Sequence, residues 1–156
     1  MSNEEFLNTA IQLAVENVER DGGPFGAIIV NKEGVIVGRG QNRVTDNNDP
    51  TAHAEVQAIR EACQKLNDFQ LTDCVLYTSC EPCPMCLGAI YWARINKVYY
   101  AADQKLAAAG GFDDAFIYEE IAKKYDDRTI PFKMIDLQNK NLPFEQWAKQ
   151  EAKVEY

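Results

Sequence analysis

The sequence predicts an α/β fold in which one sheet is covered by helices on both faces. Two observations predict it. Helical and strand-like apolar patterns alternate along the chain, which is the pattern of a sheet packed between helices. A length of 156 residues, without repeats, low-complexity segments or an internal linker, suits a single domain over 1–156.

Each element has its own signal. Phe6, Leu7, Ala10, Ile11, Ala14 and Val18 recur at helical spacing, and Asp21-Gly22-Gly23-Pro24 stops that helix. Phe25 to Asn31 and Val35 to Arg39 read as two short strands around Lys32-Glu33-Gly34, a hairpin turn. A polar loop from Asn42 to Pro50 follows, then a helix from His53 to Leu66. Cys74 to Ser79 reads as a buried strand, Cys83 to Ala93 as a helix and Lys97 to Ala101 as a strand. Asp113 to Lys124 reads as a helix, Lys133 to Leu137 as a fifth strand and Pro143 to Ala152 as the last helix.

Composition excludes some functions. Twenty-four acidic residues against sixteen basic ones give a net charge of −8, and the basic residues are scattered. Such a balance repels phosphate backbones, so no nucleic-acid partner is expected. No apolar run approaches membrane-spanning length, and the start, Met-Ser-Asn-Glu-Glu, lacks a signal peptide's basic flank and apolar run. The expectation is a cytoplasmic protein without a membrane partner. Five cysteines, an odd number with Cys80, Cys83 and Cys86 crowded together, suit metal binding in a reducing compartment better than a disulfide framework.

The chain's one histidine stands in Thr51-Ala52-His53-Ala54-Glu55, and Pro82-Cys83-Pro84-Met85-Cys86 follows. One imidazole and two thiolates suit Zn²⁺, and a catalytic site keeps its fourth position for water. His53, Cys83 and Cys86 are the expected ligands; Glu55 is left as a carboxylate close to that water and free to carry its proton. His53 and Glu55, two residues apart, cannot share a helix face. They converge on one metal only if it lies off the helix end, and the predicted start of the helix at His53 satisfies this. Cys83 also falls at a helix start, where unpaired N–H groups favour a thiolate. A thioredoxin-like dithiol would leave His-x-Glu unexplained, and an iron–sulfur run would need a cysteine where Ile90 stands. A structural zinc site with Cys80 as fourth ligand is the remaining rival.

These motifs resemble those of the cytidine-deaminase-like superfamily over about residues 1 to 130. Its purine-acting branches carry the forms seen here as Pro24-Phe25-Gly26-Ala27, His53-Ala54-Glu55 and Pro82-Cys83-Pro84-Met85-Cys86-Leu87-Gly88-Ala89-Ile90. The resemblance implies three layers, α/β/α, around a central mixed five-stranded sheet, and zinc-dependent hydrolytic removal of an amino group from a nucleobase-like ring.

Substrate choice rests on other residues. Ala101-Ala102-Asp103-Gln104-Lys105 keeps part of an element found in tRNA-adenosine deaminases. Gly110-Gly111-Phe112-Asp113-Asp114-Ala115-Phe116-Ile117-Tyr118 and the tail ending at Tyr156 resemble the bacterial guanine deaminases over the entire chain. That resemblance implies deamination of guanine to xanthine and ammonia, a step of purine catabolism or salvage. It implies Glu55 as proton carrier, Asp114 as a helper beside the departing amine, and Asn42, Ala54, Phe25, Trp92 and Tyr156 around the base. It also implies a homodimer in which the segment 143–156 is exchanged between subunits. Plainer readings stand beside these roles: Asn42 as a turn residue, Asp113 or Asp114 as a helix cap, Phe25 and Trp92 as core, and Tyr156 as a frayed end. Guanosine, cytosine or tRNA adenosine as substrate, and a non-enzymatic structural zinc protein, stay open as alternatives.

Overall fold

Ser2 opens the first helix with a reciprocal cap. Its hydroxyl accepts the Glu5 N–H at 3.2 Å, and the Glu5 carboxylate accepts the Ser2 N–H at 2.6 Å. The helix, α1 (Asn3–Glu19), buries Phe6, Ala10, Ala14 and Asn17, a single stripe at helical spacing. The computed structural model describes Met1–Tyr156, which form two compact units, Met1–Ala115 and Phe116–Tyr156.

In the first unit β1 (Gly26–Val30) and β2 (Ile36–Gln41) make the expected hairpin. Asn31 Oδ1 accepts the N–H groups of Glu33 and Val35, and Gly34 takes the positive φ, +79°, that closes the turn. A single helical turn, α2 (Val44–Asn47), lies within the predicted loop and leads to α3 (Ala54–Leu66). Then come β3 (Val75–Cys80), α4 (Pro84–Trp92), β4 (Lys97–Ala102) and a short α5 (Gln104–Ala109), an element that the apolar pattern does not predict. Asp103 caps α5 by accepting the Leu106 N–H at 2.9 Å.

The sheet runs β2-β1-β3-β4. The pairs β2/β1 and β1/β3 are antiparallel and β3/β4 is parallel, so the sheet is mixed, as expected. Alternate side chains of one strand serve opposite faces. Ile28, Val30 and Tyr77 pack with Phe6 of α1, whereas Ala27, Ile29 and Leu76 pack with Ala54, Ala58 and Ala62 of α3 and Ile90 of α4. The three-layer arrangement is therefore present.

The five-stranded expectation is corrected: the sheet has four strands. Lys133 to Leu137 forms no ladder and is exposed throughout, with Met134 at 87% and Ile135 at 76%. An alternating apolar pattern makes a strand only where a neighbouring edge takes up its backbone groups.

In the second unit, α6 (Ala115–Ala122, whose first residue closes the first unit) is followed by a 3₁₀ turn at Tyr125–Asp127 and by α7 (Leu142–Ala148). Arg128 organises this unit. Its Nε donates to the Glu120 carbonyl at 3.1 Å, and its guanidinium lies 4.8 Å from the Tyr125 ring and 5.1 Å from the Phe132 ring. None of its residues is buried.

Candidate metal centre and active site

His53 and Cys83 are the N-caps of α3 and α4. Both have extended backbones and neither side chain caps its helix, so imidazole and thiol face outward from the two helix ends. Pro84 suits the first turn of α4, where a missing N–H costs nothing, and Cys86 follows within that turn. His53 Nδ1 lies 3.5 Å from Cys83 Sγ and 3.5 Å from Cys86 Sγ. The three ligand atoms all stand within 4.8 Å of one another, and Cys80 is outside the group.

This donor set fits zinc. With Zn–S near 2.3 Å and Zn–N near 2.0–2.1 Å, tetrahedral ligands place nitrogen and sulfur about 3.5 Å apart, the spacing seen for both pairs. Three protein ligands leave the fourth position open. Cys83 is held ready: the Cys86 hydrogen bond, assisted by His53, pushes its thiol down to about 4. The Cys83 thiolate in turn pushes the Cys86 thiol up, so the pair shares one proton without metal. Burial and the Glu55 charge push Cys80 up to about 11, which suits an inert buried thiol. These positions disfavour the dithiol, iron–sulfur and four-ligand readings.

Glu55 sits in the first turn of α3, only 5% exposed, and accepts a hydrogen bond from Thr78 Oγ1 at 2.6 Å. It stays outside the ligand group, as a proton carrier must. Thr78 had not been anticipated. The signal was available, because a hydroxyl within the run Val75 to Cys80 of a buried strand needs a partner.

Among the other candidates, Asn42 Oδ1 accepts the Val44 N–H at 3.1 Å, so the turn role is present. Asn17, fully buried, fixes that segment: its Nδ2 donates to the Asn42 carbonyl at 2.9 Å and to the Gly23 carbonyl at 2.8 Å. Ala54 is wholly buried at the first position of α3, where its N–H has no helical acceptor. The Phe25 ring meets Phe112 edge-on at 5.0 Å and packs on the core. Asp114 has a buried Oδ1 without a hydrogen-bond partner, and burial, followed by the charges of Cys83 and Glu81, pushes its carboxyl up. Trp92 is not brought to the cluster within one chain. It is 62% exposed, with Arg94 over its ring, about 9 Å along the α4 axis from Cys86. Tyr156, in the second unit, is 73% exposed.

The chain resembles known proteins in the same region and beyond it. Residues 1–102 match the cytidine and deoxycytidylate deaminase zinc-binding region. The guanine deaminase of Bacillus subtilis is 58% identical over 157 aligned positions, spanning all of both proteins. Its X-ray structure superposes with a TM-score of 0.97 at 57% identity, covering 100% of this chain and 99% of that one. The tRNA-specific adenosine deaminase of Aquifex aeolicus is 47% identical over 105 residues, 67% of this chain and 69% of that protein. With the ligand cluster in place and two-thirds of its length matched, the chain belongs to the cytidine and deoxycytidylate deaminase zinc-binding family.

Proposed function

We propose that the chain is a zinc-dependent guanine deaminase, converting guanine and water to xanthine and ammonia. One observation carries the zinc chemistry: His53 Nδ1 lies 3.5 Å from both thiol sulfurs, with buried Glu55 unligated beside them. The choice of guanine is supported by a match that covers the whole chain, Phe116–Tyr156 included, and the whole Bacillus subtilis enzyme, whereas the Aquifex aeolicus match spans 105 residues.

His53, Cys83 and Cys86 hold the ion. When bound, zinc supplies Lewis acidity that brings the pKa of a water to about 7. Glu55 takes one proton from the attacking water and delivers it to ring N3 as the C2–O bond forms. It then takes the second proton from the hydroxyl now on C2 and passes it to the amine, so that the C2–N bond breaks, ammonia leaves and C2 becomes a carbonyl. Asp114, its carboxyl pushed toward the protonated form, assists that second transfer. Asn42 Nδ2 donates to a ring acceptor, since its Oδ1 is already engaged by Val44. The Ala54 N–H offers a second donor, and Phe25 borders the ring.

The working form is a homodimer. The second unit buries none of its residues and exposes Ile130, Phe132, Met134, Ile135, Phe144 and Tyr156, more apolar surface than an isolated monomer tolerates. A second copy covers it, the segment 143–156 crosses between subunits, and Tyr156 and Trp92 meet the base in the assembled site. No helix is long and apolar enough to cross a membrane. Ammonia release from guanine, guanosine, cytosine, adenine and a tRNA anticodon stem-loop tests the assignment. Release from guanine alone is expected, and release from the stem-loop alone would overturn it.

A further inference from the structure

We infer that Thr78 is a positioning residue for the reaction, fixing Glu55 in the orientation its proton transfers require. The inference rests on the reading of Glu55 as proton carrier. Thr78 lies on β3, a central strand, paired to Ala27 on one side and Tyr100 on the other, and is fully buried. Two acceptors lie within its reach, Glu55 Oε1 at 2.6 Å and the Cys80 carbonyl at 3.2 Å. A hydroxyl has a single proton, and the nearer, charged acceptor takes it, at the length of a charge-assisted bond.

That bond spans the two halves of the metal motif. Glu55 belongs to the helix that begins at His53, whereas Thr78 belongs to the strand that leads through Cys80 to Cys83. With Oε1 held from the strand, the carboxylate can no longer turn freely about its terminal bond, and Oε2 is kept on the side away from Thr78. An error of ~1 Å in such a group costs about 10²-fold in rate. The methyl group of Thr78 would serve packing equally well in valine; only the hydroxyl makes this contact.

Thr78→Val and Thr78→Ser separate the two contributions. The valine variant should retain zinc and a near-parental KM for guanine while kcat falls about 10- to 100-fold. The serine variant, which restores the hydroxyl, should stay within a few-fold of the parent. A purely structural role predicts the reverse order, because serine loses the methyl and valine keeps it. Parental kcat in Thr78→Val, or an equal fall in both variants, would overturn the inference. Should the valine variant not fold, Thr78→Ala supplies the hydroxyl-free form for the same comparison. A crystal structure of the hydroxyl-free variant gives a readout independent of substrate: the Glu55 carboxylate should leave its present position, and an unmoved carboxylate counts against the inference even if guanine is the wrong base. A parent enzyme that releases no ammonia from guanine sinks the substrate assignment separately.

Discussion

Asp113 and Asp114 are adjacent carboxylates with opposite surroundings. Asp113 Oδ1 accepts the Ala115 N–H at 2.9 Å at the start of α6, whereas Asp114 Oδ1 is buried without a partner. Asp113 is thus the one that takes up the first N–H of α6, through a local turn two residues long. A buried carboxylate oxygen left unpaired costs stability unless a ligand uses it.

Asp114→Asn should lower kcat on guanine while zinc content stays at one per chain. Because the folded-state carboxyl is raised, Asp114 favours the fold below its unfolded pKa of about 3.9 and disfavours it as pH rises through the folded value. The asparagine variant should thus melt higher than the parent near pH 7, with the difference shrinking as pH falls. Asp113→Ala should do the opposite, losing about 0.5–2 kcal/mol of stability with kcat unchanged. Equal kcat for Asp114→Asn and the parent would reduce Asp114 to a structural acid.

Glu55→Gln should bind zinc, fold and lose nearly all turnover. A carboxamide accepts the Thr78 hydrogen bond but cannot take up a proton. Positioned acid–base groups contribute about 10²–10⁴-fold, and this one serves two transfers, so its loss should exceed that of Asp114→Asn. Steady-state ammonia release, measured beside elemental analysis, decides this; turnover within a few-fold of the parent would exclude Glu55 as the carrier.

Zinc uptake by the metal-free chain should release protons. The Cys83 thiol sits at about 4, so at neutral pH the proton shared by the two thiols rests on Cys86 and is expelled on binding. Affinity should weaken as pH falls toward that value, when protons compete for Cys83. Titration calorimetry in buffers of different ionisation enthalpy should report at least one proton per zinc, and Cys83→Ala should bind zinc far more weakly. A buffer-independent enthalpy would contradict this account.

The first unit and its metal ligands were legible because local signals agree with tertiary ones there. The capping box, the Lys32-Glu33-Gly34 turn and the ligand spacing each determine geometry within a few residues. The misses have physical causes. Lys133 to Leu137 carries strand chemistry but joins no ladder, and α5 is a short run stabilised by the Asp103 cap rather than by an apolar stripe. Within one chain the axial rise of α4 sets Trp92 about 9 Å from Cys86, so its proposed contact with the base belongs to the assembled dimer. Thr78 and Asn17 act through contacts 23 and 25 residues away in sequence, which no local pattern encodes.

Gly40→Ala tests how closely β2 and α3 must approach. A Cβ at position 40 would meet the Ala54 carbonyl and lie 2.6 Å from the Ala58 N, both backbone groups that cannot rotate aside. Overpacking of this kind costs about 1–3 kcal/mol. Since α3 begins at the His53 ligand, the displaced helix end should also weaken zinc binding. Thermal unfolding and zinc retention under a mild chelator should both fall; a parental melting temperature would show that β2 yields without disturbing α3.

Deleting Val154 to Tyr156 tests the exchanged tail. These residues are exposed, Val154 at 58% and Tyr156 at 73%, and a surface tail contributes little to a folded core. If the tail closes over a partner's site, truncation should lower guanine turnover while zinc content and secondary structure persist. Mixing sharpens the test. A tail-deleted chain and a Glu55→Gln chain, each poor alone, should regain activity as a mixed dimer, in which the intact zinc site receives the tail of the chain lacking Glu55. With random pairing, half of the dimers are mixed and each carries one complete site, so recovery should approach a quarter of the parental rate, an order-of-magnitude expectation from ~1:1 subunit exchange. Full activity in the truncated chain alone, or no recovery on mixing, would leave each subunit's site complete without its partner.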